Sequence, residues 1–230
     1  MAHVLIVVTH PDPESFTARW AAATATGLQS AGHTVAWSDL YAQGFDPVAG
    51  FDTPQGRGEV EKLKAADHIV LHFPLWWYGP PAMLKGWVDQ VLVPGETVDA
   101  NAPFEAGPCR GKRALFCVSV DVPAQQCGPS GRSGDARLQL WPLAHAFRFA
   151  GMDLLEPYLV PGIEADLGPA RRIMMDAQIA QVLNDTPRRM AAMDRLPIWA
   201  TNPAADFDTQ GQLRPGAAVF SPFIRHDDGS

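Results

Sequence analysis

The feature that most constrains the fold is an alternation along the chain between nearly continuous apolar segments and segments with helical spacing of apolar residues. The first apolar segment, 3–9, is rich in β-branched residues, and 15–30 after it carries alanines at helical spacing and is followed by Gly32. Strands that are apolar along their whole length are covered on both faces, which is typical of parallel sheets. The alternation therefore predicts an α/β protein with a doubly wound, five-stranded parallel sheet.

The same patterns set the expected elements and the expected domain limits. The predicted strands are 3–9, 34–38, 68–73, 113–120 and about 153–159, and the predicted helices are 15–30, about 58–65, 81–92, 136–150 and 169–189. After about residue 196 the chain is richer in Pro, Asp, Gly and Asn, which predicts one domain over 1–195 and an extended C-terminal arm over 196–230. Aromatic residues in the arm favour its packing on its own or a partner subunit.

Composition excludes several classes of function. With 18 basic and 25 acidic side chains, a formal net charge of −7 and no basic block, nucleic acid is not expected as a partner. No stretch approaches the roughly 20 uninterrupted apolar residues of a membrane span, and no leader pattern opens the chain, so we expect a cytoplasmic protein. The cysteines Cys109, Cys117 and Cys127 have neither CxxC spacing nor a nearby His cluster, which argues against structural zinc and a disulfide scaffold.

The first loop expected near a ligand is 9–17. In open parallel sheets ligands bind outside the carboxyl ends of the strands where strand order reverses, which for the order 2-1-3-4-5 lies between the first and third strands. The loop has no GxGxxG motif, but it offers the hydroxyls of Thr9, Ser15 and Thr17 and backbone N–H groups at a helix N-terminus, which favour a phosphate. The alternative is that Ser15 or Asp12 only caps the helix.

The loop after the third strand carries three adjacent large aromatic residues, Trp76, Trp77 and Tyr78. Ordinary core packing cannot bury all three, so we predict a flat aromatic surface against which a flat conjugated cofactor such as an isoalloxazine ring binds. The alternative is that these residues pack on the next helix or in a dimer interface.

A resemblance to a known family is carried by four segments: THPDPESFT, SDLYAQGFDPV, FPLWWYGPPAMLKGWVDQVL and GDARLQLWPLAHAFRFAGMDLLEP. They resemble the flavodoxin-like NAD(P)H:quinone oxidoreductases of the DT-diaphorase family, from the first strand to about residue 183. The resemblance implies a flavodoxin-like homodimer with a tightly held flavin, usually FAD, with FMN as the alternative. It also implies a ping-pong reaction, in which NAD(P)H reduces the flavin, leaves, and is replaced by a flat aromatic acceptor, a quinone.

The same resemblance assigns residues to the flavin. The residues that would hold the pyrophosphate and ribityl chain are His10, Ser15, Phe16 and Thr17, and those that would flank the ring are Pro74, Leu75, Trp76 and Trp77. Trp76 stands where family members often carry a glutamine.

After the fourth strand this sequence departs from the family pattern. Where the family typically has a Thr-Thr-Gly-Gly turn, this chain has Ser119, Val120 and Asp121, which we also expect at the ring. The Ser119 hydroxyl would keep one contact, whereas an Asp121 carboxylate would oppose negative charge on the ring.

Two further departures concern the acceptor. Cys127 and Ser133 stand where the family uses a Tyr and a His over the ring, and 95–108 lacks the tyrosines of the quinone pocket. Cys127 is expected beside the ring but inert, because no His or Lys flanks it. No catalytic residue is assigned. The departures leave open an azo, nitro or polycyclic acceptor, or a non-catalytic electron carrier.

Overall fold

The centre of the computed structural model, which describes residues 1–48, 50, 52–164 and 168–226, is a parallel β-sheet. Its strands are β1 (His3–Val8), β2 (Thr34–Asp39), β3 (His68–Pro74), β4 (Arg113–Val120), β5 (Asp153–Leu154) and β6 (Tyr158–Pro161). The strand order is β2-β1-β3-β4, with β5 and β6 both beside β4, and all pairs are parallel. The predicted doubly wound sheet with five strand positions is confirmed.

The fifth position holds two short strands where the sequence pattern predicted one. Asp153 of β5 pairs with Arg113 at the amino end of β4, and Tyr158 of β6 pairs with Cys117 nearer the carboxyl end. Pro157 lies between them and has no amide hydrogen to donate to a neighbouring strand, so the ladder is interrupted there.

Helices cover both faces of the sheet: α1 (Phe16–Ser30), α2 (Pro54–Ala65), α3 (Ala82–Val91), α4 (Ala136–Gln139), α5 (Trp141–Phe149) and α6 (Pro169–Met190). Helix α2 begins four residues before the predicted start, because Thr53 Oγ1 accepts a hydrogen bond from the Gly56 amide at 2.9 Å and Pro54 suits a first turn. The predicted helix 136–150 is two helices, since Pro142 has no amide hydrogen to continue the hydrogen-bond ladder from α4.

Side chains of the central strands alternate between two apolar cores. Leu5 and Val7 of β1 belong to the core under α2, α3 and α5, whereas Val4, Ile6 and Val8 belong to the core under α1 and α6. Among the described helices, none is both long and apolar enough to cross a membrane. The two-sided burial explains why the strand segments are apolar along their whole length.

A buried carboxylate ties α2 to its neighbours. Glu59 accepts hydrogen bonds from Ser38 Oγ of β2 at 2.5 Å and from Trp87 Nε1 of α3 at 2.8 Å. Its other oxygen lies 2.7 Å from Lys62 Nζ. Because each donor would be costly to bury alone, this cluster holds α2, β2 and α3 in one arrangement.

The C-terminal arm lies against α5 and the end of the sheet. Trp199 is buried, with the Arg137 guanidinium 4.7 Å from its ring centroid. Phe223 stacks on Trp141 of α5 with centroids 6.0 Å apart, yet it stays largely exposed, as does Phe220. The boundary between residues 195 and 196 and a contact of the arm with a partner subunit stay predictions.

Candidate functional site

A cavity of about 510 Å³ lies at the carboxyl ends of β3 and β4. It is lined by the segments that follow these two strands and by the end of α4: Leu75, Trp76, Trp77, Tyr78, Val120, Asp121, Val122, Cys127, Ser133 and Gln139. Its volume falls in the range of about 300–1,000 Å³ typical of small-molecule sites. The cavity reaches the loop after β1 through His10, whose ring meets the Trp76 ring edge-on at 5.9 Å.

The aromatic surface is presented by a tight turn. The Trp76 amide donates to the Gly79 carbonyl at 2.9 Å, and the Gly79 amide donates back to the Trp76 carbonyl at 3.1 Å. Trp77 and Tyr78 both have positive φ, 49° and 65°, which for bulky residues costs about 1–2 kcal/mol each. Trp76, Trp77 and Tyr78 are 41%, 95% and 61% exposed, so the prediction that the core does not bury all three is confirmed.

The loop after β1 ends in a helix N-terminus with free donors. Ser15 Oγ accepts a hydrogen bond from the Ala18 amide at 3.2 Å, so Ser15 caps the helix. Asp12 Oδ1 accepts one from the Glu14 amide at 2.9 Å, which closes a turn in the loop before the helix. The first-turn amides of Phe16 and Thr17 have no hydrogen-bond partner among the residues that the structure describes. Both side chains are buried, so these residues offer backbone N–H groups, the donors that bind a phosphate at a helix N-terminus.

Two buried polar side chains lie at the ends of the central strands. Thr9 follows β1, and its Oγ1 has no partner within the described chain. His72 of β3 lies edge-on to the Trp20 ring at 5.1 Å, and neither of its ring nitrogens has a described partner. Burial lowers the pKa of His72 to about 3, so the imidazole is neutral.

The segment after β4 forms the opposite wall. The buried Ser119 holds the two walls together, because its carbonyl accepts the Leu75 amide at 2.8 Å. Asp121 is exposed on the cavity wall. Burial raises the pKa of the Cys127 thiol, and the carboxylates of Asp135 and Asp121 raise it further. A thiol with a raised pKa stays protonated at neutral pH, which agrees with the expected inert role.

The structure brings together part of the predicted set in one cavity: Leu75, Trp76, Trp77, Val120, Asp121 and Cys127. Pro74 is the last residue of β3 and Ser119 the penultimate residue of β4, both behind the cavity. His10 touches the cavity rim through Trp76, and Ser15, Phe16 and Thr17 form the start of α1.

Four lining residues were not in the predicted set: Tyr78, Val122, Ser133 and Gln139. Tyr78 belongs to the aromatic run that signalled its neighbours. Gln139 had no local signal, because only the tertiary fold brings α4 to this edge of the sheet.

These donors and surfaces fit a flavin. The exposed aromatic turn offers flat faces for a conjugated ring, and the Trp77 and Tyr78 amides have no partner among the described residues, so they are free for its polar edge. The amides of Phe16 and Thr17 suit a phosphate. A phosphate at the start of α1 would meet these backbone donors, and no Lys or Arg is among the described residues that line the neighbouring cavity.

Comparisons of this chain with a family model, with related sequences and with a solved structure agree with one another. Residues 2–183 match the model of a family described as having a flavodoxin-like fold. The ribosyldihydronicotinamide dehydrogenase (quinone) of Mus musculus is 32% identical over 75% of this chain and 87% of its own. The NAD(P)H dehydrogenase (quinone) 1 of Rattus norvegicus is 33% identical over 86% of this chain and 78% of its own. A structure described as a putative quinone reductase from Klebsiella pneumoniae has the same fold, with a TM-score of 0.81, 24% identity, and coverage of 95% of this chain and 98% of that one.

Proposed function

The chain belongs to the flavodoxin-like NAD(P)H:quinone oxidoreductase family, and on that premise we propose that it is a flavin-dependent enzyme that passes two electrons from NAD(P)H to a quinone. The observation that carries the proposal is the exposed aromatic turn 76–79 on a cavity of about 510 Å³ at the carboxyl edge of the sheet. When bound, the flavin supplies the redox chemistry, and the protein supplies binding, orientation and electrostatics.

We assign the flavin phosphate to the start of α1. The Phe16 and Thr17 amides would donate to it, with Ser15 beside them and His10 between this loop and the ring. FAD is the proposed form, because the family resemblance implies it, and FMN is the alternative.

We assign the ring to the two cavity walls. Pro74, Leu75, Trp76 and Trp77 would flank it on one side, and Ser119, Val120, Asp121 and Cys127 on the other; most of them line the cavity. The apolar walls would exclude water from the reacting faces. Because one cavity serves donor and acceptor, we propose a ping-pong reaction.

We propose that the enzyme works as a cytoplasmic homodimer. The support is the family resemblance together with the large exposed side chains Phe220 and Phe223 on the arm. Light scattering of the purified protein measures the mass; a monomer of 24.9 kDa that turns over quinones at full rate contradicts the dimer.

The experiment that tests the function begins with the bound molecule. Denaturing the purified protein should release a yellow compound whose mass identifies FAD or FMN. Rapid mixing with NAD(P)H alone should bleach the flavin absorbance, and a quinone should restore it. A colourless protein that does not take up FAD or FMN, and does not oxidise NAD(P)H with a quinone, contradicts the proposal.

A matched pair of variants tests the aromatic turn. Trp77→Leu removes one stacking face and should raise the KM for a quinone about two- to tenfold, the value of one aromatic contact. Trp37→Leu is the control, because Trp37 is also exposed, at 42%, but lies on β2 at the edge of the sheet. An equal effect of both substitutions contradicts the assignment.

The second candidate keeps the flavin and changes the acceptor to an azo, nitro or polycyclic compound. The observation that favours it is the cavity wall, where Asp121, Cys127 and Ser133 replace the turn and the Tyr and His of the family pattern. An acceptor panel under identical conditions separates the two candidates, since quinone turnover far below that of another acceptor favours the second. Rapid bleaching of the flavin absorbance by NAD(P)H excludes a third alternative, a non-catalytic electron carrier.

A further inference from the structure

The cavity has an unusual charge distribution. Among its lining residues in the described structure, Asp121 is the only charged one. The others are aromatic or aliphatic, or carry a thiol, a hydroxyl or an amide. Among the described lining residues, only Asp121 therefore offers a charge that a ligand in the cavity could contact directly.

The Asp121 carboxylate is not neutralised by a partner. No hydrogen bond or ion pair joins its side chain to another residue within the described ranges. Of the basic residues in the following segment, Arg137 pairs with Glu156 at 2.8 Å, and Arg132 donates to the neutral side chain of Gln126 at 3.2 Å and makes no described contact with Asp121. The wall thus presents a carboxylate that no described basic side chain contacts.

The pKa of the neighbouring Cys127 thiol responds to the same carboxylate. Burial raises the pKa of Cys127, and the carboxylates of Asp135 and Asp121 add to that rise. Since Cys127 lines the cavity, the negative potential extends to where a ligand would lie. The opposite wall also favours cations, because aromatic faces attract them and this wall presents the rings of Trp76, Trp77 and Tyr78.

We propose that Asp121 selects the acceptor by charge, so that the cavity takes cationic or neutral flat aromatic compounds and discriminates against those that carry a carboxylate or sulfonate. This inference rests on the proposed function and names its substrate class. Two unit charges about 7 Å apart, at an effective dielectric constant of about 40–80, change binding about three- to eightfold in each direction. The ratio of cation binding to anion binding should therefore exceed its value without the carboxylate by about ten- to sixtyfold.

The kinetic test uses three naphthoquinones that differ in charge: 2-methyl-1,4-naphthoquinone, its sulfonate, and a derivative with a trimethylammonium side chain. In the holoenzyme, Asp121→Asn should lower the ratio of kcat/KM for the cation to kcat/KM for the anion about ten- to sixtyfold. High salt should also lower this cation-to-anion ratio of kcat/KM for the parent enzyme. Asp121→Lys should invert the preference.

The matched control is Asp153→Asn, which changes the net charge equally. Asp153 is exposed at the amino end of β5 and pairs in register with Arg113, so it lies about 23 Å along the strand from the cavity. For Asp153→Asn, the cation-to-anion ratio of kcat/KM should stay within about twofold of the parent value. An equal shift in both variants, or no shift in Asp121→Asn, overturns the proposal.

A binding measurement tests the charge preference of the cavity without requiring that the protein reduces quinones. N-methylquinolinium and naphthalene-2-sulfonate are flat, redox-inert bicycles of opposite charge, and their binding to the protein as purified is followed by tryptophan fluorescence. The parent should bind the cation more tightly, and Asp121→Asn should remove most of the difference. Equal binding by the parent, or binding of neither compound, overturns the proposal whether or not the protein reduces quinones.

Discussion

A substitution at Ser15, the cap of α1, separates the stability of that helix from the binding of the proposed phosphate at its start. Ser15 accepts the Ala18 amide, so it caps the helix, and the proposed phosphate lies against the neighbouring amides of Phe16 and Thr17. Aspartate caps a helix about as well as serine and adds a favourable charge at the helix N-terminus. Ser15→Asp should therefore leave the folded protein as stable as the parent, while it places a carboxylate where the phosphate would bind.

The expected magnitude follows from the geometry of a helix start. A carboxylate at the cap and a phosphate on the adjacent amides lie about 5 Å apart, where two unit charges repel by about 1–3 kcal/mol at an effective dielectric constant of about 20–60. That repulsion weakens flavin binding about ten- to a hundredfold. Ser15→Ala, by contrast, loses the cap and should lower the free energy of unfolding by about 1 kcal/mol.

The assay is fluorescence titration of flavin-free protein with FAD and FMN, together with urea unfolding of the same samples. Thr53→Asp is the matched control, because Thr53 caps α2 through the Gly56 amide and takes no part in the proposed site. The reasoning is refuted if Ser15→Asp binds flavin as tightly as Thr53→Asp at unchanged stability. A loss of flavin in both variants would refute it as well.

Three further outcomes follow from buried or partly buried groups. Glu59→Ala should lower the free energy of unfolding in urea by about 1–3 kcal/mol, since the Trp87 indole N–H is left buried without an acceptor; unchanged stability contradicts this. His72 has a folded pKa of about 3 and takes up a proton near pH 6.5 when unfolded, so its contribution to stability is lost as the pH falls from about 6.5 to 3. His72→Leu should therefore reduce the difference in unfolding free energy between pH 7 and pH 4 by about 3 kcal/mol, and an unchanged difference argues against a neutral buried imidazole. Because burial raises its pKa, Cys127 should react with iodoacetamide more slowly than an ordinary thiol at pH 7.5, and the midpoint of its rate increase with pH should lie above that of free cysteine, as followed by peptide mass.

Local patterns were enough to predict the elements that carry the site. The near-continuous apolar run of β3 predicted a strand buried on both faces, and its end at Pro74 placed the aromatic turn at the carboxyl edge of the sheet. The pattern failed where the outcome depends on one proline: Pro142 divides the helix predicted over 136–150, and Pro157 interrupts the last strand. In both places hydrogen-bond geometry outweighed the apolar spacing.

The sequence by itself determined the fold class and the segment order, because apolar periodicity reports which faces of a segment are buried, and it pointed to the two loops at which we propose that a ligand binds. Only the tertiary structure decided which distant side chains share a wall. It placed Gln139 and Val122 in the cavity, joined Leu75 to Ser119, and left the Asp121 carboxylate without a partner among the described residues. The physical reason is that such contacts depend on how helices and loops pack across the sheet, over separations that no local spacing encodes.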